Sequence, residues 1–220
     1  MENLFLDAGG VILDEKTHET ARAKLTVQIL SRLIPKYSLT QYWKDVEKGV
    51  SLYAPSLYRY IFWLHTQNIP LYESTYSEYR LKWKKQNNPL ILMEKLGDTL
   101  RILSNKYRLG ILGQYGSDLK ELLAENNLLT YFTFKNTQDD FSITKPDPRY
   151  FELVLKQAGV NPEMCIMVGD RIDKDIIPAK MIGMKTVRVK TGLHKHQIPR
   201  TPEEIPDYEV ASVFDLTKIL

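Results

Sequence analysis

Leu4-Phe5-Leu6-Asp7-Ala8-Gly9-Gly10-Val11-Ile12 is a short apolar run that ends on an aspartate and breaks into two glycines. The run reads as a buried strand and the glycines as the turn that follows it. Strands of an α/β sheet present reactive side chains at their carboxyl ends, so a carboxylate delivered there to a glycine-rich turn is placed as a nucleophile or a metal ligand. Asp-x-Gly also closes strands where no chemistry occurs. The reading of Asp7 as the reactive centre therefore depends on what the rest of the chain brings to the same edge.

From this turn the pattern changes to helical period. Residues 17–35 carry Leu25, Val27, Ile29, Leu30, Leu33 and Ile34 as a broad apolar stripe. Ser38-Leu39-Thr40-Gln41 has the form of a capping box, opening a helix with Tyr42, Trp43 and Val46 on its buried side. Pro55 and Ser56 open a helix over 57–65, and Thr75-Tyr76-Ser77-Glu78 opens another that runs to Lys85. Four helices with no strand between them form a separate bundle, so residues 15–87 are expected to be a cap on a core of residues 1–14 and 88–220. Eight tyrosines crowd the insert: Tyr37, Tyr42, Tyr53, Tyr58, Tyr60, Tyr72, Tyr76 and Tyr79. At helical spacing they read first as packing residues with one wet edge. Arg80, Lys82, Lys84 and Lys85 read as a solvated face, and His18 and His65 lack a metal-ligand spacing.

From Asn88 onward strands and helices alternate. Helical patterns lie over 93–106, 117–126 and 148–159, after Asp175 through Lys180 and Gly183, and over 213–220; strand patterns lie over 107–112, 131–134, 164–168, 186–189 and 208–210. This alternation predicts an α/β fold: a doubly wound parallel sheet with helices on both faces, carrying the small helical bundle as a cap.

Composition limits the alternatives. The 220 residues are 43% apolar, which excludes a disordered or fibrous chain and suffices for one α/β domain with an insertion. The net charge of +3 comes from 30 basic and 27 acidic residues that are dispersed, so nucleic-acid binding has no support. Cys165 lies inside Met164-Cys165-Ile166-Met167-Val168 and reads as a buried strand residue in a reducing compartment. Met1-Glu2-Asn3 enters the first strand without a basic or long apolar leader, and no apolar run reaches membrane-spanning length. A cytoplasmic protein with no membrane association is expected.

Four strand ends carry polar groups: Asp7, the Gly113-Gln114 turn, Lys145 before Pro146, and Asp170 with Asp175. Carboxylates that converge repel one another unless a cation sits between them. Asp7, Asp170 and Asp175, with a backbone carbonyl from the turn, make an oxygen-only site suited to Mg2+. Lys145 beside it concentrates positive charge where a phosphoryl group would need it.

This order of motifs resembles the haloacid dehalogenase-like superfamily of aspartate-nucleophile hydrolases, in the subfamily whose helical cap is inserted after the first motif. The most specific stretch is Val168-Gly169-Asp170, Asp175-Ile176, Ala179-Lys180 and Gly183-Met184, supported by Lys145-Pro146-Asp147-Pro148 upstream. The resemblance implies that Asp7 is the nucleophile and a magnesium ligand, and that the Gly9 carbonyl and Asp170 are further ligands. It also implies that Asp175 supports the metal shell and that Lys145 holds the nucleophile and the phosphate. Two positions depart from the family pattern. Gly9 stands where phosphatases carry a second aspartate as general acid, and Gly113 stands where a serine or threonine contacts the phosphate, leaving Gln114, Ser117 or backbone amides for that contact. The expectation is a magnesium-dependent phosphatase that acts on a small phosphorylated metabolite through an aspartyl-phosphate at Asp7, weakened by Gly9. A non-catalytic binding or regulatory protein of the same fold and a 2-haloacid dehalogenase are the other readings.

Overall fold

The computed structural model describes residues 2–136 and 138–220; Met1, from the Met1-Glu2-Asn3 start, and Thr137 lie outside them. The chain forms two compact units. One comprises the chain up to Asp14, Leu90–Lys195 and Pro199–Leu220, and the other comprises Glu15–Pro89 and His196–Ile198. Among the described residues, no helix is long and apolar enough to cross a membrane.

The second unit is helical: α1 (Lys16–Leu30), α2 (Leu39–Ser51), α3 (Leu57–Thr66) and α4 (Ile69–Lys85). α1 stops five residues short of the predicted end, with Ser31 as its C-cap and Lys36 in the left-handed region at φ 68°. Ser38 and Ser56 cap α2 and α3 through their hydroxyls. α4 begins earlier than Thr75, because Asn68 accepts from the Leu71 amide and Pro70 sits in the first turn. Thr75 is thus a mid-helix residue, and its hydroxyl bonds back to the Leu71 carbonyl at 2.7 Å. The tyrosines are mostly packing residues: Tyr42 is fully buried, and Tyr72, Tyr76 and Tyr79 stack in series. A chain segment from beyond the insert completes this unit, with the Tyr53 hydroxyl donating to the Ile198 carbonyl at 2.8 Å and Gln197 buried.

The first unit is a six-stranded parallel sheet made of β1 (Asn3–Leu6), β2 (Arg108–Ile111), β3 (Phe132–Phe134), β4 (Cys165–Gly169), β5 (Lys185–Val189) and β6 (Tyr208–Val210). The strand order is β3-β2-β1-β4-β5-β6. β1 and β4 are buried along their whole length, as strands of a sheet covered on both faces must be. Leu4 and Leu6 join Ile111, Val168 and Val187 on one face, under α5 (Leu96–Ser104), α6 (Ser117–Glu125) and, C-terminal to them, α9 (Leu216–Ile219). Phe5 and Met167 point to the other face, against α7 (Pro148–Ala158) and α8 (Ile177–Met181). Cys165 belongs to this second cluster and is buried.

The site is positioned by strand order. The chain builds outward from β1 through β2 to β3 and then crosses back to lay β4 on the other side of β1, so the winding reverses between β1 and β4. Leu6 lies level with Val168 and Ile111, so β1, β4 and β2 end together. Between β4 and α8, Ile172–Ile176 makes one wide π-helical turn, and the helix expected after Asp175 runs over Ile177–Met181, ending before Gly183.

Candidate active site

Asp7 is the first residue past β1, and its amide still donates to the Val168 carbonyl at 2.8 Å, which ties it to the end of β4. Asp170 follows β4 directly and is 4% exposed. Asp175 comes off the π-helical turn and is 1% exposed. One oxygen from each of these three carboxylates lies within 4.8 Å of the others. Lys145, in the loop before α7, is buried against them: its ammonium donates to Asp7 Oδ1 at 2.7 Å and to Asp175 Oδ1 at 2.6 Å. The Arg171 amide donates to the other Asp175 oxygen at 3.0 Å.

Burial opposes the charge of Lys145, but Asp175 and Asp7 outweigh it and hold the ammonium well above the ordinary lysine range. Burial pushes the Asp175 carboxyl up to about 6, with Lys145 acting the other way. Three carboxylates around one ammonium leave the cluster negative, and every donor is a hard oxygen. That is the chemistry of a site for a small divalent cation.

The structure therefore brings Asp7, Lys145, Asp170 and Asp175 together. Gly9 sits two residues beyond Asp7 in the turn and forms an isolated bridge with Leu13. Gly113 lies beside the Asp7 turn at the end of β2, where a Cβ would stand 2.7 Å from the Ala8 Cβ and 3.0 Å from the Ala8 nitrogen. Its carbonyl accepts from the Tyr150 hydroxyl at 3.1 Å. Gln114 donates to the Lys145 carbonyl at 3.1 Å. Ser117, the remaining side-chain candidate on this loop, has its amide bonded to Asp139 at 3.1 Å.

Two residues escaped the sequence reading. Lys174 sits half-buried in the π-helical turn, and its ammonium donates to Gln114 Oε1 at 3.4 Å. Arg171 pairs with Asp173 at 2.5 Å in the same turn. Their position inside the Asp170 to Asp175 interval was the available signal, but spacing alone does not reveal which side chains of a turn face the carboxylates.

Comparison with known proteins gives the family. Residues 11–189 match the model of the family described as haloacid dehalogenase-like hydrolase. A glyceraldehyde 3-phosphate phosphatase of Pyrococcus furiosus is 34% identical over 123 residues, 55% of this chain and 50% of that protein. A phosphoserine phosphatase of Thermus thermophilus is 36% identical over 94 residues, 43% of this chain and 36% of that protein. The chain thus spans half or less of the length of these curated relatives. In fold it is similar to the haloacid dehalogenase-like family protein SP0104 of Streptococcus pneumoniae, with a TM-score of 0.72 at 17% identity over 100% of this chain and 98% of that one. The family match takes in most of the chain, including Lys145, Asp170 and Asp175, and the chain belongs to the haloacid dehalogenase-like hydrolases.

Proposed function

We propose that the protein is a Mg2+-dependent phosphate monoester hydrolase acting on a small phosphorylated metabolite, with Asp7 as its nucleophile. The observation that carries this reading is the Lys145 ammonium held between Asp7 and Asp175 at 2.7 and 2.6 Å, with Asp170 completing the carboxylate cluster. The names of the two phosphatase relatives support the substrate class.

In this reading Asp7, Asp170 and the Gly9 carbonyl hold the metal, with Asp175 behind them. Bound Mg2+ would supply positive charge to the phosphoryl oxygens. Lys145 fixes one oxygen of Asp7, so the carboxylate is oriented before substrate arrives. An Asp7 oxygen attacks phosphorus, and the leaving-group oxygen departs with the bonding electron pair. Water then hydrolyses the aspartyl-phosphate and regenerates the carboxylate. Gly9 offers no proton, so acyl phosphates and sugar 1-phosphates, whose leaving groups need little help, are better substrates than alkyl phosphates.

Retention of Asp170 and Asp175 beside Lys145 argues against a metal-independent 2-haloacid dehalogenase. The test is phosphate release from a panel of acyl, sugar and aryl phosphates, with magnesium or with chelator, for the native chain and Asp7→Asn. Release that requires both the metal and Asp7 is expected. No release from any substrate, with magnesium still bound, would leave a non-catalytic binding protein.

A further inference from the structure

The cations around the carboxylate cluster are not equivalent. Lys145 is committed to Asp7 and Asp175, and Arg171 is committed to Asp173. Lys174 has no carboxylate of the described residues within ion-pair distance; its hydrogen bond goes to the neutral amide oxygen of Gln114, at 3.4 Å. It is nevertheless half-buried. An ammonium kept from bulk water without a direct anionic partner is unfavourable on its own, and it becomes favourable once an anion binds beside it.

Gln114 connects Lys174 to the reactive cluster. Its amide nitrogen donates to the Lys145 carbonyl while its amide oxygen accepts from Lys174, so one side chain spans the two lysines at the carboxyl edge of the sheet. Next to it, Gly113 cannot carry a hydroxyl without pushing into Ala8. The site thus excludes one phosphate donor and holds a second, charged donor close by.

We infer that Lys174, held by Gln114, is a phosphate-binding residue that supplies to the substrate phosphoryl group the contact a hydroxyl at position 113 would otherwise make. The inference rests on the hydrolase reading for its substrate, a phosphate monoester, but predicts orthophosphate binding whether or not turnover occurs.

The experiment is calorimetric titration of orthophosphate into the magnesium-loaded protein, for the native chain, Lys174→Met and Lys174→Arg, with thermal midpoints and the KM of any substrate turned over. Lys174→Met is expected to weaken orthophosphate about 10- to 100-fold, the range for a lost charge-assisted bond, and to raise KM in parallel with an unchanged thermal midpoint. Lys174→Arg, which keeps the charge, is expected to recover most of the loss. Should Lys174→Met fail to fold, Lys174→Gln carries the same comparison. Native protein that binds orthophosphate through Lys174 but hydrolyses nothing would overturn the hydrolase reading and leave the phosphate site standing. Equal orthophosphate affinity in native and Lys174→Met, or no orthophosphate binding by the native protein, would overturn the site, and metal-dependent turnover through Asp7 would then leave the hydrolase reading intact.

Discussion

A Cβ built on Gly113 meets the Ala8 Cβ at 2.7 Å and the Ala8 nitrogen at 3.0 Å, so the glycine and the turn after Asp7 occupy space that a larger residue would need. Restoring a hydroxyl by Gly113→Ser should therefore destabilise the protein by about 1–3 kcal/mol and fail to raise turnover. Urea unfolding and steady-state rates check both parts, and a stable, faster Gly113→Ser enzyme would show that the turn yields easily. Gly9 differs in kind: what it lacks is a proton donor. Gly9→Asp should raise turnover of alkyl phosphates by on the order of a hundredfold, the lower part of the range for a positioned acid. An unchanged rate on those substrates would mean that more than the acid is missing. Sequence alone identified which side chains were absent at positions 9 and 113, but only the approach of Ala8 explains the second.

The element after β4 concentrates most of the site in a few residues. Gly169 ends the strand beneath the Asp175 side chain, and a Cβ there would stand 2.4 Å from the Asp175 Cβ, Cγ and Oδ2. Gly169→Ala must displace Asp175 and with it the partner of Lys145. We expect a loss of magnesium affinity, read by titration, together with a lowered thermal midpoint; retained affinity would contradict this account. In the helical unit, the first turn of α1 carries Glu19, whose Oε1 accepts from the Tyr58 hydroxyl and whose Oε2 is buried with no hydrogen-bond partner among the described residues. Arg22 nearby lies over the Tyr58 and Trp83 rings and donates to the Tyr79 hydroxyl at 2.8 Å. Burial pushes the Glu19 carboxyl up to about 7, against the Tyr58 hydrogen bond. A carboxyl raised in the folded state favours folding while it is protonated. Its contribution is complete below the unfolded carboxylate pKa and is lost as pH rises through about 7. Between pH 4.5 and 8 the loss should be on the order of 2–3 kcal/mol. Glu19→Gln should abolish that part of the dependence, and an identical pH profile in urea unfolding would assign it elsewhere.

At the scale of the molecule, the parallel sheet was legible because its central strands are buried on both faces and appear as continuous apolar runs. Leu4-Phe5-Leu6 shows this directly, with Leu4 and Leu6 in one core cluster and Phe5 in the other. The convergence of Asp7, Lys145, Asp170 and Asp175 was legible too, since each follows a strand or precedes a helix at the same edge. Helix limits were harder. The start of α4 rested on Asn68 and Pro70, weaker cues than the Thr75-Tyr76-Ser77-Glu78 pattern that imitates a cap. The link between Lys174 and Gln114 joins residues sixty positions apart with no pattern to announce it.

Residues His196–Ile198 carry no apolar period either, yet they belong to the helical unit, where Gln197 is buried and the Ile198 carbonyl takes the Tyr53 hydroxyl. The helical unit is therefore discontinuous along the chain. Exchange of residues 15–89 between homologues would carry over Tyr53 without its acceptor carbonyl, and a shuffled protein would need the distant tripeptide moved with it. A graft made with a single pair of breakpoints would leave a seam at this point.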